Sequence, residues 1–285
     1  MPDCLPGRTC KNKMEMRLLL ISNSTNAGEA YLDYPKNNIR EFLGPKKVKA
    51  LFIPYAAVTF SYEAYEEKVR TRFQEVGHDV VSIHRFSDPV QAVMDAPAIV
   101  VGGGNTWMLL KCLRDNKLIA AVRKKVTGGT PYIGWSAGSN VTCPTIMTTN
   151  DMPVTAPRSF RAFGLIPFQI NPHYLDANPA GHAGETREQR IQEFIEVNRD
   201  LFVAGLREGT MFLLEGERNR RAPGARRQGR GAVPQPRRRP PNSSDTTNRT
   251  RNTKNRILAM PAAAPARPPK PRAAAIRATT RNTRA

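Results

Sequence analysis

Residues 131–140, which read PYIGWSAGSN, constrain the fold of this chain more than any other stretch. Residues 132–135 form a short apolar run that predicts a buried strand, and residues 134–138 match the pattern G-x-S-x-G. This pattern is typical of a sharp turn from a strand into a helix, where small residues are needed because the two elements crowd together. Ser136 is therefore a candidate nucleophile, and the alternative is a surface serine at a glycine-rich strand end.

Apolar strands alternate with helices along the chain from Met16 onwards. Strands are predicted over residues 16–22, 48–53, 80–83, 98–101, 201–206 and 210–214, and helices over 31–43 apart from Pro35, 62–76, 89–94, 107–114 and 184–197. Because the strand runs are continuously apolar, they indicate an α/β fold with a mostly parallel sheet covered on both faces. Ligands of such sheets bind beyond the carboxyl ends of the strands.

Two strand-to-helix turns fall on that edge of the predicted sheet: the turn at Ser136 and the GGGNT run at residues 102–106. The N–H of Ala137 follows the nucleophile, and the N–H of Gly104 is the natural second donor of an oxyanion hole. The GGGNT run lacks the lysine of a phosphate-binding loop and the spacing of a dinucleotide fingerprint, so nucleotide binding is not indicated.

A serine nucleophile needs a base, and the base needs a carboxylate that orients it. Of the four histidines, His173 follows a short apolar run at a predicted strand end, which favours it as the base. Asp151 lies in a loop between nucleophile and base, and Glu208 lies in the turn between the last two strands. Either carboxylate can hold the Nδ1–H of the imidazole, and the residues alone leave both open.

The charge divides the chain into unequal parts. The net charge is +20, of which residues 218–285 carry +18, so the preceding body is nearly neutral. The basic Arg/Pro-rich tail at 218–285 is predicted to be disordered, because it cannot bury enough apolar surface to offset its chain entropy. Residues 1–15 are predicted to be a disordered N-terminal extension, which leaves residues 16–217 as a single catalytic domain.

Several function classes are not indicated by the composition. The four cysteines form no C-x-x-C pair and have no histidine at ligand spacing, so neither a metal site nor a disulfide framework is predicted. No apolar run approaches the length of a membrane span, and no apolar leader precedes Met16. A cytoplasmic protein without a membrane partner is expected. The tail has no aromatic residue for base stacking, so it supports only nonspecific nucleic-acid binding.

Six stretches in one order resemble the peptidase E family of α-aspartyl dipeptidases, from Met16 to about Leu214. They are VGGGNT (101–106), IGWSAGSN (133–140), CPTIMTTNDMP (143–153), INPHY (170–174), GHAGETREQRI (181–191) and GLREG (205–209). The resemblance implies a three-layer α/β/α fold related to class I glutamine amidotransferases, with a serine at the nucleophile position. It also implies hydrolysis of small Asp-Xaa peptides without metal or cofactor, by a monomer or a homodimer.

The resemblance assigns roles to individual residues. Ser136 matches the nucleophile and His173 matches the base of the family. Asp151 matches the aspartate often given as the third triad member, whereas Glu208 matches a glutamate in the orienting position. Arg187 and Asn105 match polar residues that recognise the substrate aspartate, and a planar guanidinium suits a carboxylate.

The sequence departs from the family pattern after Glu217, where members of the family continue with strand-forming sequence. The Arg-Ala-Pro-Gly composition that follows resembles translation in a wrong reading frame, which we state as a hypothesis. Two alternatives to the dipeptidase therefore stay open. One is a cyanophycinase-like peptidase acting on β-aspartyl links, and the other is an inactive relative with a nonspecific nucleic-acid-binding tail.

Overall fold

The computed structural model of the protein describes residues 15–178, 180–181 and 183–216, and the backbone of a strand at 256–261. The strands are β1 (Met16–Ile21), β2 (Lys49–Ile53), β3 (Asp79–Ser82), β4 (Ile99–Val101), β5 (Tyr132–Trp135), β6 (Gln169–Tyr174), β7 (Val203–Arg207), β8 (Thr210–Gly216) and β9 (Arg256–Pro261). The helices are α1 (Lys36–Leu43), α2 (Tyr62–Glu75), α3 (Pro89–Asp95), α4 (Thr106–Asp115), α5 (Leu118–Thr127), α6 (Ala137–Asn140) and α7 (Arg187–Val197).

Seven strands form one sheet in the order β3-β2-β4-β5-β1-β8-β9. The first five of these are mutually parallel, β8 pairs antiparallel with β1, and β9 pairs antiparallel with β8. A separate parallel pair is formed by β6 and β7. The mostly parallel sheet predicted from the continuous apolar runs is confirmed.

The sheet is buried on both faces, and successive residues of β1 face different cores. Leu18 and Leu20 belong to the core that includes residues of α3, α4 and α5. Leu19 and Ile21 belong to the core that includes residues of α1 and α2. The result is the predicted three-layer α/β/α arrangement, because side chains of a strand alternate between the two faces of its sheet.

Three elements differ from the sequence-based expectation. α5 was not predicted, and α1 begins only after Pro35, because residues 31–35 form turns instead of a helical start. Arg256–Pro261 pairs with β8 and forms the edge of the sheet, so the structure has a strand where the sequence predicts only a disordered tail. The exposed backbone groups of an edge strand provide a template for such pairing.

The rest of the predicted extensions, residues 1–14 and most of 217–285, lies outside the described residues, so the disorder and the reading-frame hypothesis stay predictions there. Among the helices of the described part, none is long and apolar enough to cross a membrane.

Candidate active site

Ser136 lies at the turn between β5 and α6 with φ 51° and ψ −112°, a backbone conformation that residues with a side chain seldom adopt. The glycines around it are needed for the close approach of the two elements. A Cβ atom on Gly138 would lie 2.1 Å from the carbonyl oxygen of Val101, and one on Gly134 would lie 2.5 Å from that of Gly138. The crowding expected from the G-x-S-x-G spacing is therefore present.

The hydroxyl of Ser136 lies against the imidazole of His173, with 2.9 Å between Oγ and Nε2. The other ring nitrogen of His173, Nδ1, lies 2.7 Å from Oε1 of Glu208. Since a carboxylate only accepts, Nδ1 carries the proton and Nε2 is free to accept from the serine. The three side chains form a relay that can withdraw a proton from the hydroxyl of Ser136.

Asp151 does not reach the imidazole. Its Oδ2 accepts hydrogen bonds from the backbone N–H of Thr106 at 2.8 Å, from the hydroxyl of Thr106 and from the hydroxyl of Thr149 at 3.0 Å. These contacts cap the start of α4. Of the two carboxylates that the sequence left open, Glu208 and not Asp151 lies within hydrogen-bond distance of His173.

The GGGNT turn packs against the nucleophile, since a Cβ atom on Gly103 would lie 3.1 Å from Cβ of Ser136. The buried hydroxyl of Tyr65 donates to the carbonyl oxygen of Gly103 at 2.9 Å and accepts from Nε1 of Trp135 at 3.2 Å. Because the C=O and N–H of a trans peptide point in opposite directions, the N–H of Gly104 is directed away from Tyr65.

The two predicted oxyanion donors are unengaged. Within the described residues, neither the N–H of Gly104 nor that of Ala137 has a hydrogen-bond acceptor. Gly104 is exposed and has φ 129°, a conformation suited to glycine. Both N–H groups are therefore available to a ligand oxygen beside Ser136.

Asn105 takes part in the local structure through both ends of its side-chain amide. Its Oδ1 accepts from the backbone N–H of Met108 at 3.0 Å, which makes it the N-cap of α4, and its Nδ2 donates to the carbonyl of Met152 at 2.8 Å. Nδ2 has a second N–H that these contacts do not use, so the substrate-binding role expected for Asn105 stays a prediction.

Arg187 is the first residue of α7 and is half-buried. Its Nη1 donates to Oδ1 of Asn150, and in the described part of the chain no carboxylate lies within ion-pair distance of its guanidinium. Burial, and then the neighbouring Arg190, lower the pKa of Arg187 from its ordinary value. Within the described residues the group is a partly desolvated cation without a carboxylate partner, which suits it to an anionic ligand.

Sequence reasoning missed the residues that hold these side chains. Asn150 donates from Nδ2 to the carbonyl of Pro172 at 2.6 Å and so joins Arg187 to the strand that carries His173. At the end of β1, Ser22 accepts from the backbone N–H of His173 at 3.0 Å.

Asn23, the next residue, accepts from the N–H of Gly209 at 2.8 Å and fixes the turn of Glu208. The only available signal for Ser22 and Asn23 was their position directly after a buried strand.

Ser136 and His173 open into a cleft of about 650 Å³, which is the usual size of a site for a small molecule. Aromatic side chains form part of its wall: Tyr31, Phe60, Tyr65 and Trp135. Asp151 and Lys68 also line the cleft, with side chains of opposite charge. Among the described residues, no group of three or more His, Cys, Asp or Glu side chains is arranged to hold a metal ion.

Comparisons with known proteins agree with this geometry. The model of "Peptidase family S51" matches residues 18–222. Proteins named Peptidase E from a Nostoc species and from Citrobacter koseri are 54% identical over 202 residues and 48% identical over 194 residues. The alignments cover 71% and 68% of this chain and 84% of each relative.

A crystal structure of a putative peptidase E protein from Listeria monocytogenes EGD-e shares the fold, with a TM-score of 0.55 and 22% identity over 72% of this chain and 96% of that one. The family match spans most of the chain, and the named relatives share about half of their residues with it. The chain therefore belongs to peptidase family S51 and is a serine peptidase.

Proposed function

We propose that this protein hydrolyses dipeptides whose first residue is aspartate, through an acyl-enzyme formed on Ser136. The observation that carries the proposal is the relay from Ser136 through His173 to Glu208, with separations of 2.9 Å and 2.7 Å. A half-buried guanidinium that lacks a counter-ion in the described structure, Arg187, supports the choice of substrate.

The first half-reaction transfers the aspartyl group to the enzyme. Nε2 of His173 takes the proton of the Ser136 hydroxyl as Oγ attacks the carbonyl carbon of the scissile peptide bond. Glu208 keeps the imidazole in the required tautomer and stabilises the imidazolium that forms. The imidazolium then gives its proton to the leaving amine, and the peptide bond breaks.

The second half-reaction reverses these roles with water as the nucleophile. His173 takes a proton from the water as its oxygen attacks the carbonyl carbon of the ester, the ester bond to Ser136 breaks, the proton returns to Oγ, and free aspartate is released. The N–H groups of Gly104 and Ala137 donate to the oxyanion in both halves. Fixed donors of this kind contribute about 3–4 kcal/mol each to the stabilisation of the transition state.

Specificity for aspartate follows from the charge of Arg187. A planar guanidinium binds a carboxylate with two parallel hydrogen bonds, and partial burial strengthens the attraction because less water screens it. The side chain of asparagine has nearly the same shape but no charge. Discrimination between Asp-Leu and Asn-Leu is therefore the direct measure of this contact.

The test is Arg187→Met, assayed by steady-state kinetics on Asp-Leu and Asn-Leu. We expect kcat/KM to fall on the order of 100-fold for Asp-Leu and only a few-fold for Asn-Leu, because loss of a charged hydrogen-bond partner costs about 1.5–3 kcal/mol. Arg190→Met is the matched control, since Arg190 lies on the same helix and is exposed.

Equal losses on the two dipeptides would refute the role of Arg187. Including β-Asp-Leu separates the alternative activity, because preferential hydrolysis of that substrate would identify a β-aspartyl peptidase. In each case Ser136→Ala provides the background rate, since it removes the nucleophile and retains a Cβ in the turn.

A further inference from the structure

Asp151 is a carboxylate in the active-site cleft that the proposed relay does not use. It is partly buried and lines the cleft together with Ser136 and His173. A carboxylate removed from water without a compensating cation costs free energy, so its presence beside the nucleophile calls for a physical reason.

The two oxygens of Asp151 differ in their surroundings. Oδ2 accepts from the N–H and hydroxyl of Thr106 and from the hydroxyl of Thr149. Oδ1 has no hydrogen-bond donor among the described residues, and no lysine, arginine or histidine of that part of the chain forms an ion pair with the carboxylate. One oxygen therefore holds the side chain in place and the other is available.

The backbone around Asp151 is also held in place. Its carbonyl accepts from Nε1 of Trp107 at 3.0 Å, and its N–H donates to the hydroxyl of Thr149 at 3.2 Å. The N-terminus of α4, whose first N–H group donates to Oδ2, stabilises the negative charge. A fixed and charged acceptor of this kind needs no reorganisation when a cation binds.

Asn150 links the segment of Asp151 to the cation proposed above for the substrate side chain. Asn150, the residue before Asp151, accepts a hydrogen bond from Nη1 of Arg187. An N-terminal aspartyl group carries an ammonium on Cα and a carboxylate one carbon further away. An anionic acceptor for the ammonium and a cation for the carboxylate therefore match the two charges of such a group.

We infer that Oδ1 of Asp151 binds the free α-ammonium group of the substrate. The inference rests on the proposed function and adds the reason why cleavage is confined to the first residue of a peptide. An acylated or internal residue has no ammonium to pair with Asp151. Such a substrate would leave a partly buried carboxylate uncompensated.

The test measures binding by titration calorimetry on the Ser136→Ala protein, so that no turnover occurs. The ligands are Asp-Leu and succinyl-Leu, which has the same side-chain carboxylate and peptide bond but lacks the α-amino group. We then combine Asp151→Asn with Ser136→Ala in one protein. We expect the Kd of Asp-Leu to rise on the order of 10- to 100-fold and that of succinyl-Leu to change by less than about threefold.

Thr106→Val is the structural control. It removes one of the hydrogen bonds that hold Asp151 but keeps the charge, so any loss of binding should be the same for both ligands. If Asp151→Asn raised the Kd of both ligands equally, or raised neither, the inference would be overturned. The proposed hydrolysis of Asp-Leu would not be affected by that result. If the Ser136→Ala protein bound neither ligand, the aspartyl substrate class itself would be wrong, and the inference with it.

Discussion

Glu208→Gln removes the charge of the side chain that holds His173. The glutamine has nearly the same size, and its amide oxygen can still accept a hydrogen bond. Oε1 of Glu208 lies 2.7 Å from Nδ1 of His173. The imidazolium that forms during proton transfer is stabilised by the full negative charge of glutamate but only by the dipole of glutamine. The substitution should therefore slow the chemical steps and leave ground-state binding of a dipeptide nearly unchanged.

The magnitude follows from the exposure of the pair. A hydrogen bond to a charged group contributes about 1.5–3 kcal/mol when it is shielded from water. The side chains of Glu208 and His173 are 51% and 39% exposed, so solvent screens their attraction. We expect a loss of about 1–2 kcal/mol, which corresponds to roughly a 5- to 30-fold decrease in kcat. The roughly 10⁴-fold loss that follows substitution of a buried triad aspartate is not expected here.

The assay is steady-state hydrolysis of Asp-Leu at neutral pH, with kcat and KM determined separately. Asp176→Asn is a suitable control, because Asp176 is an exposed carboxylate paired with Arg207 of the neighbouring strand β7. A kcat of Glu208→Gln within about twofold of the wild-type value would refute the orienting role. So would a loss that appeared only in KM.

Two further predictions concern buried groups. Burial raises the pKa of Tyr65 to about 12, so its hydroxyl stays protonated and donates to the carbonyl of Gly103. Tyr65→Phe removes this hydrogen bond, which holds the peptide that carries the N–H of Gly104. The substitution should therefore lower kcat for Asp-Leu about tenfold at nearly constant KM. A KM effect alone would contradict this role. Burial also raises the pKa of the Cys143 thiol to about 12, so peptide mass mapping should find Cys143 unmodified by iodoacetamide in the native protein and modified after unfolding.

The sheet and its ligand-binding edge were predictable because each depends on local patterns. Continuous apolar runs give parallel strands whatever their order, and the carboxyl ends of parallel strands meet at one edge. The placement of Ser136 at a strand-to-helix turn follows from its spacing to Gly134 and Gly138. His173 was recognisable because it follows a buried run at a strand end.

The choice of carboxylate was not predictable, because it depends on contacts between distant segments. Glu208 approaches His173 only because β6 and β7 pair in parallel, with Pro172 opposite Leu206. Asp151 lies closer in the chain to both Ser136 and His173, yet its side chain turns to α4. No local pattern contains that information.

For Asn105, in contrast, the sequence held a signal that favours the observed role. Asparagine directly before a helix is among the preferred N-cap residues, since its side-chain oxygen accepts from a backbone N–H of the first turn. The position of Asn105 immediately before α4 is therefore explained by capping alone.

The carboxyl end of β1 connects the two residues of the site that have unusual backbone conformations. Ser136 has φ 51° and His173 has φ 54°, and such conformations persist only where surrounding contacts hold them. The N–H of Ser136 donates to the carbonyl of Ile21 at 3.0 Å, and the N–H of His173 donates to the hydroxyl of the next residue, Ser22, at 3.0 Å. Because the last residue of β1 holds the nucleophile and the residue that follows it holds the base, the end of this central strand sets their separation.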